Sequence, residues 1–403
     1  MKYIVMLGDG MADYPVEALG GKTPLEAANK PNMDEMASLG ELGMVKTVPD
    51  GIKPGSDVAN LSVMGYAPKT YYTGRSPLEA ASIGVSLEES DVTFRCNLVT
   101  LSDEADYQDK TMVDYSSDEI STEEAEQLIQ AVNDELHTDS ISFYKGISYR
   151  HLMVWHDGSL KVELTPPHDI SDKKITDYLP KGEGADQILE MMKASERILK
   201  NHPVNQARIA KGKRPATSIW IWGEGSKPRL DSFEEKYGLK GSVISAVDLI
   251  KGIAKCASMN SIDVPGATGN VDTNFDGKAQ AALKALEEGS DFVYIHVEAP
   301  DECGHRGEVE NKIKAIELID EKIIGYLRKH LDEKGIDYRM LLMPDHPTPL
   351  KLKTHVSDPV PYVIYDSTKE MKGQNRRYTE KEAEKTGRYN PVGDTLMAYF
   401  LEK

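Results

Sequence analysis

Three aspartates stand at positions where a protein could assemble a catalytic site. Asp9, Asp301 and Asp345 each come shortly after a short apolar run, and the runs are Tyr3–Leu7, Phe292–Val297 and Met340–Met343. Continuous apolar runs of this length are typical of parallel strands that are buried on both faces. Open α/β sheets bind ligands at the carboxyl ends of such strands. The sequence therefore predicts that these three carboxylates meet at one edge of a sheet.

Histidines accompany two of these aspartates. His305 lies four residues after Asp301, so a helical or tightly turned loop can direct both side chains at one cation. His346 follows Asp345 directly, and His355 lies nine residues later. Carboxylate and imidazole ligands without thiolate favour Mn²⁺ or Zn²⁺, and Mg²⁺ also accepts oxygen ligands. Each residue alone could be an N-cap or a surface histidine, but the set of five favours a metal site.

A serine is placed where it could act as a nucleophile. Ser56 follows a Pro-Gly turn and precedes an apolar segment that can begin a helix. Backbone N–H groups and the dipole at a helix N-terminus stabilise an anion. The alternative is that Ser56 or Asp57 only caps this helix. Beside two metal ions the nucleophile interpretation is favoured, because metals lower the pKa of an alcohol.

The elements that would position these residues alternate between strand and helix. Between the last two acidic loops, residues 311–331 place isoleucines at helical spacing. This alternation predicts an α/β core with a mostly parallel sheet between helices, formed by residues 1–102 and 240–403. Residues 103–239 are richer in charge and in polar turns. They predict an inserted α+β domain that caps the core and binds substrate.

The composition excludes several classes of partner. The 403 residues carry 48 basic and 66 acidic side chains, a net charge of −18, which disfavours binding to nucleic acid. No apolar run approaches the roughly 20 residues of a membrane-spanning helix, and the N-terminal apolar run is too short for a signal peptide. The three scattered cysteines predict neither a disulfide framework nor a thiolate metal site. We therefore expect a cytoplasmic protein with a small-molecule substrate, and the oligomeric state is left open.

Eight motifs together resemble the cofactor-independent phosphoglycerate mutases of the archaeal type, which belong to the alkaline phosphatase superfamily. The motifs are Gly8–Met11, Pro54–Asp57, Tyr72–Arg75, Phe94–Asn97, Gly266–Gly269, Asp301–His305, Asp345–His346 and His355–Pro361. The likeness spans nearly the whole chain. It implies an alkaline-phosphatase-like fold and a site that holds two divalent metal ions.

The resemblance also implies roles for individual residues. One metal would be bound by Asp301, His305 and His355, and the other by Asp9, Ser56, Asp345 and His346. Ser56 would be the residue that is transiently phosphorylated. The residues implied to hold the substrate or its phosphoryl group are Asn60, Arg75, Arg95, Asn97, Arg150, His151 and His168. Arginine suits phosphate because its planar fork bonds two oxygens at once, but a surface ion pair or a capping role explains each of these residues equally well on its own.

The chain departs from the archaeal mutases where substrate is selected. Val113–Ile120 replaces an arginine-rich stretch of that family, and Trp222–Gly225 replaces an Arg-Gly-Ala-Gly segment. Each lost guanidinium removes charge-assisted hydrogen bonds worth about 1.5–3 kcal/mol to a phosphoglycerate. The acidic residues now present would suit the ammonium group of an amino acid, and they are Asp114, Asp118, Glu119 and Glu224.

These departures resemble a bacterial branch of the family proposed to act as homoserine kinases. The sequence therefore favours transfer of a phosphoryl group from ATP to homoserine, as in threonine biosynthesis. Interconversion of 2- and 3-phosphoglycerate is the alternative. Hydrolysis of a phosphomonoester comes third, together with a non-catalytic metabolite-binding protein that keeps the fold.

Overall fold

The computed structural model describes residues 1–371 and 373–402, which divide into two compact units. Unit 1 comprises Met1–Tyr72 and Arg229–Lys403, and unit 2 is the continuous segment Thr73–Pro228. Unit 2 begins well before the expected segment 103–239, because the strand Asp91–Leu101 pairs with the other strands of this unit. Within unit 2 the Thr73 hydroxyl donates a 2.6 Å hydrogen bond to the Ser226 carbonyl, which ties its two ends together.

The centre of unit 1 is an eight-stranded sheet that confirms the predicted fold class. In spatial order its strands are Asn260–Ile262, Gly241–Ile244, Phe292–Val297, Lys2–Gly8, Tyr338–Met343, Val360–Asp366, Glu41–Val45 and Tyr389–Asn390. Only Val360–Asp366 runs antiparallel to its neighbours, so the sheet is mostly parallel. The fold is alkaline-phosphatase-like α/β.

Helices cover this sheet. They are Pro24–Ala27, Pro31–Leu39, Ser56–Val63, Pro68–Tyr71, Phe233–Tyr237, Asp248–Cys256, Phe275–Glu287, Ala299–Arg306, Val309–Leu318, Tyr326–Glu333, Glu380–Lys385 and Thr395–Leu401, with a 3₁₀ turn at Glu17–Leu19. The π-helical turn Ile319–Gly325 joins Val309–Leu318 to Tyr326–Glu333. Along this continuous helical stretch Ile316, Ile319 and Ile323 are fully buried in the core against the sheet. Burial of this apolar stripe explains the helical spacing seen in the sequence.

Unit 2 has a separate antiparallel sheet and its own core. The strands are Asp91–Leu101, Met112–Asp114, Ile141–Tyr144, Arg150–His156 and Ser218–Ser226, and a small ladder joins Val162–Glu163 to Lys181–Gly182. The helices are Ser76–Ser82, Thr122–Leu136, Ala185–Lys200 and Pro203–Ala210, with 3₁₀ turns at Tyr107–Asp109, Pro167–Ile170 and Thr176–Tyr178. The Ser121 hydroxyl caps Thr122–Leu136 by accepting from the Glu124 N–H. Among the described residues, no helix is both long and apolar enough to cross a membrane.

Candidate metal centre

The three strand-end aspartates come together in unit 1. Asp9, Asp301 and Asp345 lie just beyond the carboxyl ends of the central strand Lys2–Gly8 and its two parallel neighbours. All three are almost completely buried, at 1%, 4% and 0% exposure. Buried carboxylates crowded in this way repel one another unless a cation neutralises them.

Asp301 forms one donor group with histidines. The Nε2 atoms of His305 and His355 lie 3.2 Å and 3.4 Å from different Asp301 carboxylate oxygens, and 2.9 Å from each other. The Nδ1 atom of His305 lies 3.0 Å from the Lys353 carbonyl, a contact that places a proton on Nδ1, so Nε2 is the nitrogen that would bind a metal ion in exchange for its own proton. Two ring nitrogens and a carboxylate thus converge on one point.

Charge coupling within this group is strong. The Asp301 carboxylate raises the pKa of His305 to about 9 through their hydrogen bond. Burial alone would raise the pKa of Asp301, but hydrogen bonds from His305 and His355 hold it well below its usual value. The carboxylate therefore stays ionised in a nearly dry site, as a metal ligand must.

Asp9, Asp345 and His346 form the second donor group. Their ligand atoms lie within 4.8 Å of one another. Those of Asp301, His346 and His355 do as well, so the His346 ring lies close to both donor groups. The Oδ1 atom of Asp9 is buried and has no hydrogen-bond partner among the described residues. Burial, followed by the charges of Asp345 and Asp301, raises the pKa of Asp9 well above its usual value.

These observations agree with a site for divalent cations. A cation would bind the orphaned Asp9 oxygen and would neutralise the crowded carboxylates. Oxygen and imidazole donors without thiolate suit Mn²⁺ or Zn²⁺. The residues present therefore fit divalent cations.

The nucleophile prediction gains a geometric basis. Ser56 is the first residue of the helix Ser56–Val63, and its Oγ atom lies 3.1 Å from the Nε2 atom of His346. The N-cap of this helix is Gly55, which has no side chain to cap it, and Asp57 Oδ1 accepts from the Val58 N–H of the first turn at 2.9 Å. Ser56 is thus directed at the donor groups and does not serve as a helix cap.

Asn60 connects Ser56 to Asp345 of the second donor group. Its Nδ2 atom donates to the Ser56 carbonyl and to Asp345 Oδ2, both at 2.8 Å. Its Oδ1 atom accepts from the buried hydroxyl of Tyr294 at 2.6 Å. Both amide hydrogens are therefore used inside the protein, so the Asn60 amide orients its neighbours and has no donor left for a substrate.

His296 is an orienting residue that the sequence reasoning missed. Its Nε2 atom lies 2.8 Å from Asp9 Oδ2, and its Nδ1 atom lies 3.1 Å from the Ser245 hydroxyl. Burial lowers the pKa of His296 to about 3, so the ring is neutral. It binds one Asp9 oxygen and leaves the other, Oδ1, to face the site. A histidine inside the otherwise apolar run Phe292–Val297 was the available signal.

Two further features fix the loops of the site. Gly10 has a positive φ of 60°, and a Cβ atom there would lie 2.6 Å from Asp301 Oδ1, so only glycine allows this close approach. Its N–H donates to Asp345 Oδ1 at 3.1 Å. The hydroxyl of Thr348 donates to Asp301 Oδ1.

A buried ion pair between Lys312 and Asp13 stabilises the same loops. The Nζ atom of Lys312 lies 2.7 Å from Asp13 Oδ2 and donates to the Thr348 carbonyl at 2.8 Å. The Asp13 carboxylate also accepts from the Leu350 N–H. Glu380 accepts from the Asp13 N–H, and burial raises the pKa of Glu380 to about 7.

The remaining predicted substrate residues lie in unit 2, where three arginines form a cationic cluster. Arg75 and Arg95 each contact one oxygen of Glu79 through Nε, at 3.0 Å and 3.1 Å. Burial lowers the pKa of Arg95, and the positive charges of Arg75 and Arg150 lower it further. Glu79 thus contacts two guanidinium groups, and Arg95 lies in a field of further positive charge.

His151 lies on the opposite face of the unit 2 sheet from Arg95 and Asn97. It pairs with Cys96, is 3% exposed, and accepts from the Gly146 N–H through Nδ1. Since side chains alternate along a strand, the structure does not bring His151 together with Arg95 and Asn97. His168, by contrast, packs against Trp222, with ring centroids 5.3 Å apart.

The acidic replacement segment folds on itself. Asp114 Oδ1 accepts from the backbone and hydroxyl of Ser116, and Asp114 Oδ2 accepts from the Asp118 N–H and from Arg214. Asp118 Oδ2 accepts from the Arg214 N–H. Both carboxylates are therefore already paired within the protein, and the predicted pairing of Asp114 or Asp118 with a substrate ammonium group has no support.

The chain is similar to known proteins over its whole length. A family profile described as 2,3-bisphosphoglycerate-independent phosphoglycerate mutase matches residues 37–205, and one described as type I phosphodiesterase / nucleotide pyrophosphatase matches residues 172–349. A probable 2,3-bisphosphoglycerate-independent phosphoglycerate mutase from Geobacter sulfurreducens is 52% identical, with all of both chains covered. The mutase of that name from Methanosarcina barkeri is 50% identical over 96% of this chain and 95% of its own.

Two solved structures match the fold over the whole chain. One is a protein from Pyrococcus horikoshii, with a TM-score of 0.83, 30% identity and 98% of that chain covered. The other is a cofactor-independent phosphoglycerate mutase from Thermoplasma acidophilum, with a TM-score of 0.68, 26% identity and 99% of that chain covered. Relatives near 50% identity carry the mutase name, so the prediction of a homoserine kinase that uses ATP is wrong, and the alternative is favoured.

Proposed function

Because the chain belongs to the archaeal-type family of cofactor-independent phosphoglycerate mutases, we propose that it interconverts 2-phosphoglycerate and 3-phosphoglycerate through Ser56. The observation that carries this proposal is the 3.1 Å approach of Ser56 Oγ to His346, whose ring lies close to both donor groups. A nucleophile beside two adjacent cation sites is the arrangement that in-line phosphoryl transfer requires.

The metals would be held by the two donor groups described above. Asp301, His305 and His355 would hold one ion, and Asp9, Asp345 and His346, with Ser56, would hold the other. When bound, divalent cations supply positive charge that stabilises a transferring phosphoryl group and favours the ionised serine. We propose Mn²⁺ or Zn²⁺, since the donors are carboxylates and imidazoles.

The residues of the chain account for both halves of the reaction. Ser56 Oγ forms a bond to the phosphorus as the bond between phosphorus and the glycerate oxygen breaks, and the serine proton passes to the departing oxygen. The other hydroxyl of the glycerate then attacks the phosphorus of the phosphoserine and returns a proton to Ser56. The two steps conserve the phosphoryl group, so the net reaction needs no external phosphate donor.

The guanidinium cluster of unit 2 supports an anionic substrate. Arg75 and Arg95 both contact Glu79, and Arg150 adds a third positive charge that Arg95 experiences. Phosphoglycerate carries a phosphate and a carboxylate, both of which suit the guanidinium fork. We propose that these arginines and Asn97 bind the substrate anion.

A direct assay tests the proposed function. The purified protein is incubated with 3-phosphoglycerate and Mn²⁺, Zn²⁺ or Mg²⁺, without added nucleotide, and products are followed by ³¹P NMR. We expect 2-phosphoglycerate to appear, and mass spectrometry after acid quenching to find phosphate on Ser56. Release of inorganic phosphate without 2-phosphoglycerate would indicate a phosphomonoesterase, and would overturn the mutase proposal.

A further inference from the structure

We propose that Trp222 is a positioning residue for the substrate anion, because it orients both Arg95 and Asn97. This inference rests on the proposed function and deepens it. Trp222 lies in the strand Ser218–Ser226 of unit 2, directly opposite Arg95 on the neighbouring strand. Its side chain is nearly buried, at 9% exposure, and it contacts both polar residues directly.

Trp222 and Glu79 together fix the guanidinium of Arg95. The Cζ atom of Arg95 lies 4.3 Å from the centroid of the Trp222 ring, a cation–π contact. On its inner edge Arg95 Nε contacts Glu79 Oε2 at 3.1 Å. No described residue forms a hydrogen bond with the two terminal nitrogens of Arg95. The Arg95 guanidinium is thus held on one face by Trp222 and at Nε by Glu79. Its terminal N–H groups remain for two oxygens of an anion.

Trp222 also determines which way the Asn97 amide points. The indole Nε1–H donates to Asn97 Oδ1 at 2.9 Å, and the Asn97 Nδ2 donates to the Tyr115 carbonyl at 3.2 Å. An indole N–H is only a donor and a carbonyl is only an acceptor, so the amide cannot turn over. Asn97 therefore presents its second amide hydrogen, a donor that suits an anion.

Trp222 and the Tyr115 carbonyl are themselves held in place by neighbouring residues. His168 packs edge-on against Trp222, and Tyr115 packs against His168 with ring centroids 6.1 Å apart. The turn after Tyr115 has three consecutive residues with positive φ, at 52°, 55° and 46°, and they are Ser117, Asp118 and Glu119. Strained backbone of this kind is typical of functional sites. This turn fixes the Tyr115 carbonyl, which accepts the hydrogen bond from the Asn97 amide.

A pair of variants separates the two contacts of Trp222. Trp222→Phe keeps an aromatic face for Arg95 but deletes the N–H donor, so Asn97 can turn its oxygen towards the anion. We expect KM for 3-phosphoglycerate to rise roughly tenfold with kcat within about twofold, since one charge-assisted contact is lost. Trp222→Leu removes the aromatic face as well and should raise KM further. Trp155→Phe, a second tryptophan of the same unit, is the matched control.

A spectroscopic measurement distinguishes failure of this inference from failure of the mutase proposal. Protein that carries 5-fluorotryptophan has three ¹⁹F signals, from Trp155, Trp220 and Trp222, and Trp222→Phe identifies the third. We expect 3-phosphoglycerate, added to metal-chelated protein, to shift the Trp222 signal alone. Circular dichroism melts of each variant confirm that the protein remains folded.

Each outcome decides between the two proposals. If the wild-type protein interconverts phosphoglycerates but the Trp222 signal and the KM of Trp222→Phe do not change, the positioning role is wrong and the mutase function stands. If the Trp222 signal shifts without any interconversion, the mutase function is wrong and the positioning role stands. If neither occurs, both are wrong.

Discussion

The Nε2 atoms of His305 and His355 lie 2.9 Å apart, and both also lie within 3.4 Å of Asp301. Ring nitrogens at this separation need a proton or a cation between them. A divalent cation would connect the helix Ala299–Arg306 to the loop that carries His355, two segments far apart in the chain. Metal binding should therefore raise the melting temperature of the protein as well as support its activity.

His305→Ala should remove one metal site while the fold persists. We expect about one equivalent less of bound Mn²⁺ or Zn²⁺ by elemental analysis, because one of the two ions loses an imidazole ligand. His330→Ala is the control, since the His330 ring contacts the Tyr326 carbonyl and belongs to neither donor group. Equal metal content in both variants would contradict the assignment of His305.

Ser56→Ala should abolish phosphoryl transfer and leave metal binding intact. We expect turnover to fall by at least about a thousandfold, as for the loss of other covalent nucleophiles. Ser62→Ala is matched, because Ser62 is a buried serine of the same helix whose hydroxyl has no partner among the described residues. A fully active Ser56→Ala enzyme would exclude a phosphoserine mechanism.

The sequence predicted the core of this site because its determinants are local. Buried parallel strands appear as continuous apolar runs, and the residue after each run lies at the sheet edge by geometry alone. Asp9, Asp301 and Asp345 were therefore found together without any knowledge of long-range contacts. The serine was found in the same way, from a turn followed by a helix.

Other features depend on contacts that spacing does not encode. His296 lies within an apolar run, and only the packed structure shows that it binds Asp9. The carboxylates of Asp114 and Asp118 suggested a substrate with an ammonium group, but Asp114 accepts from its own loop and Asp118 accepts from the Arg214 N–H. The mutase relatives overturn the expected substrate, and these two carboxylates show why the sequence misled, since composition shows charge but not whether that charge is already paired.

Lys312→Met should destabilise unit 1 strongly. Lys312 and Asp13 have side-chain exposures of 0% and 1%, so removal of the ammonium leaves a buried carboxylate unpaired, at a cost of about 3–5 kcal/mol. Calorimetry should show a clear decrease in melting temperature. The exposed pair of Lys329 and Glu333 provides the control, and Lys329→Met should change stability by less than about 1 kcal/mol. Equal effects of the two substitutions would contradict this explanation.

Glu380 should make stability depend on pH. Burial raises its pKa from 4.5 to about 7, so the folded state binds more protons than the unfolded state between these values. The free energy of unfolding attributable to Glu380 therefore falls as the pH rises from about 4.5 to about 7. Glu380→Gln cannot titrate, and its stability relative to the wild type should increase across this window and level off above it.

Urea titrations at several pH values measure this difference. A constant difference between Glu380→Gln and the wild-type protein would show that Glu380 does not titrate abnormally. Thr23→Val offers a further check, because the Thr23 hydroxyl donates to Glu380 at 2.7 Å and favours its ionised form. That substitution should move the upper end of the window to higher pH.

The chain passes from unit 1 into unit 2 once and returns once, because unit 2 is one continuous segment. The hydrogen bond from Thr73 to Ser226 holds the two ends of that segment side by side. A segment with this topology can be gained, lost or exchanged by a single recombination event at the DNA level. The metal-binding strands would stay as they are. Under the proposed role of unit 2 in substrate binding, new substrate preferences can therefore arise by replacement of one contiguous piece of gene.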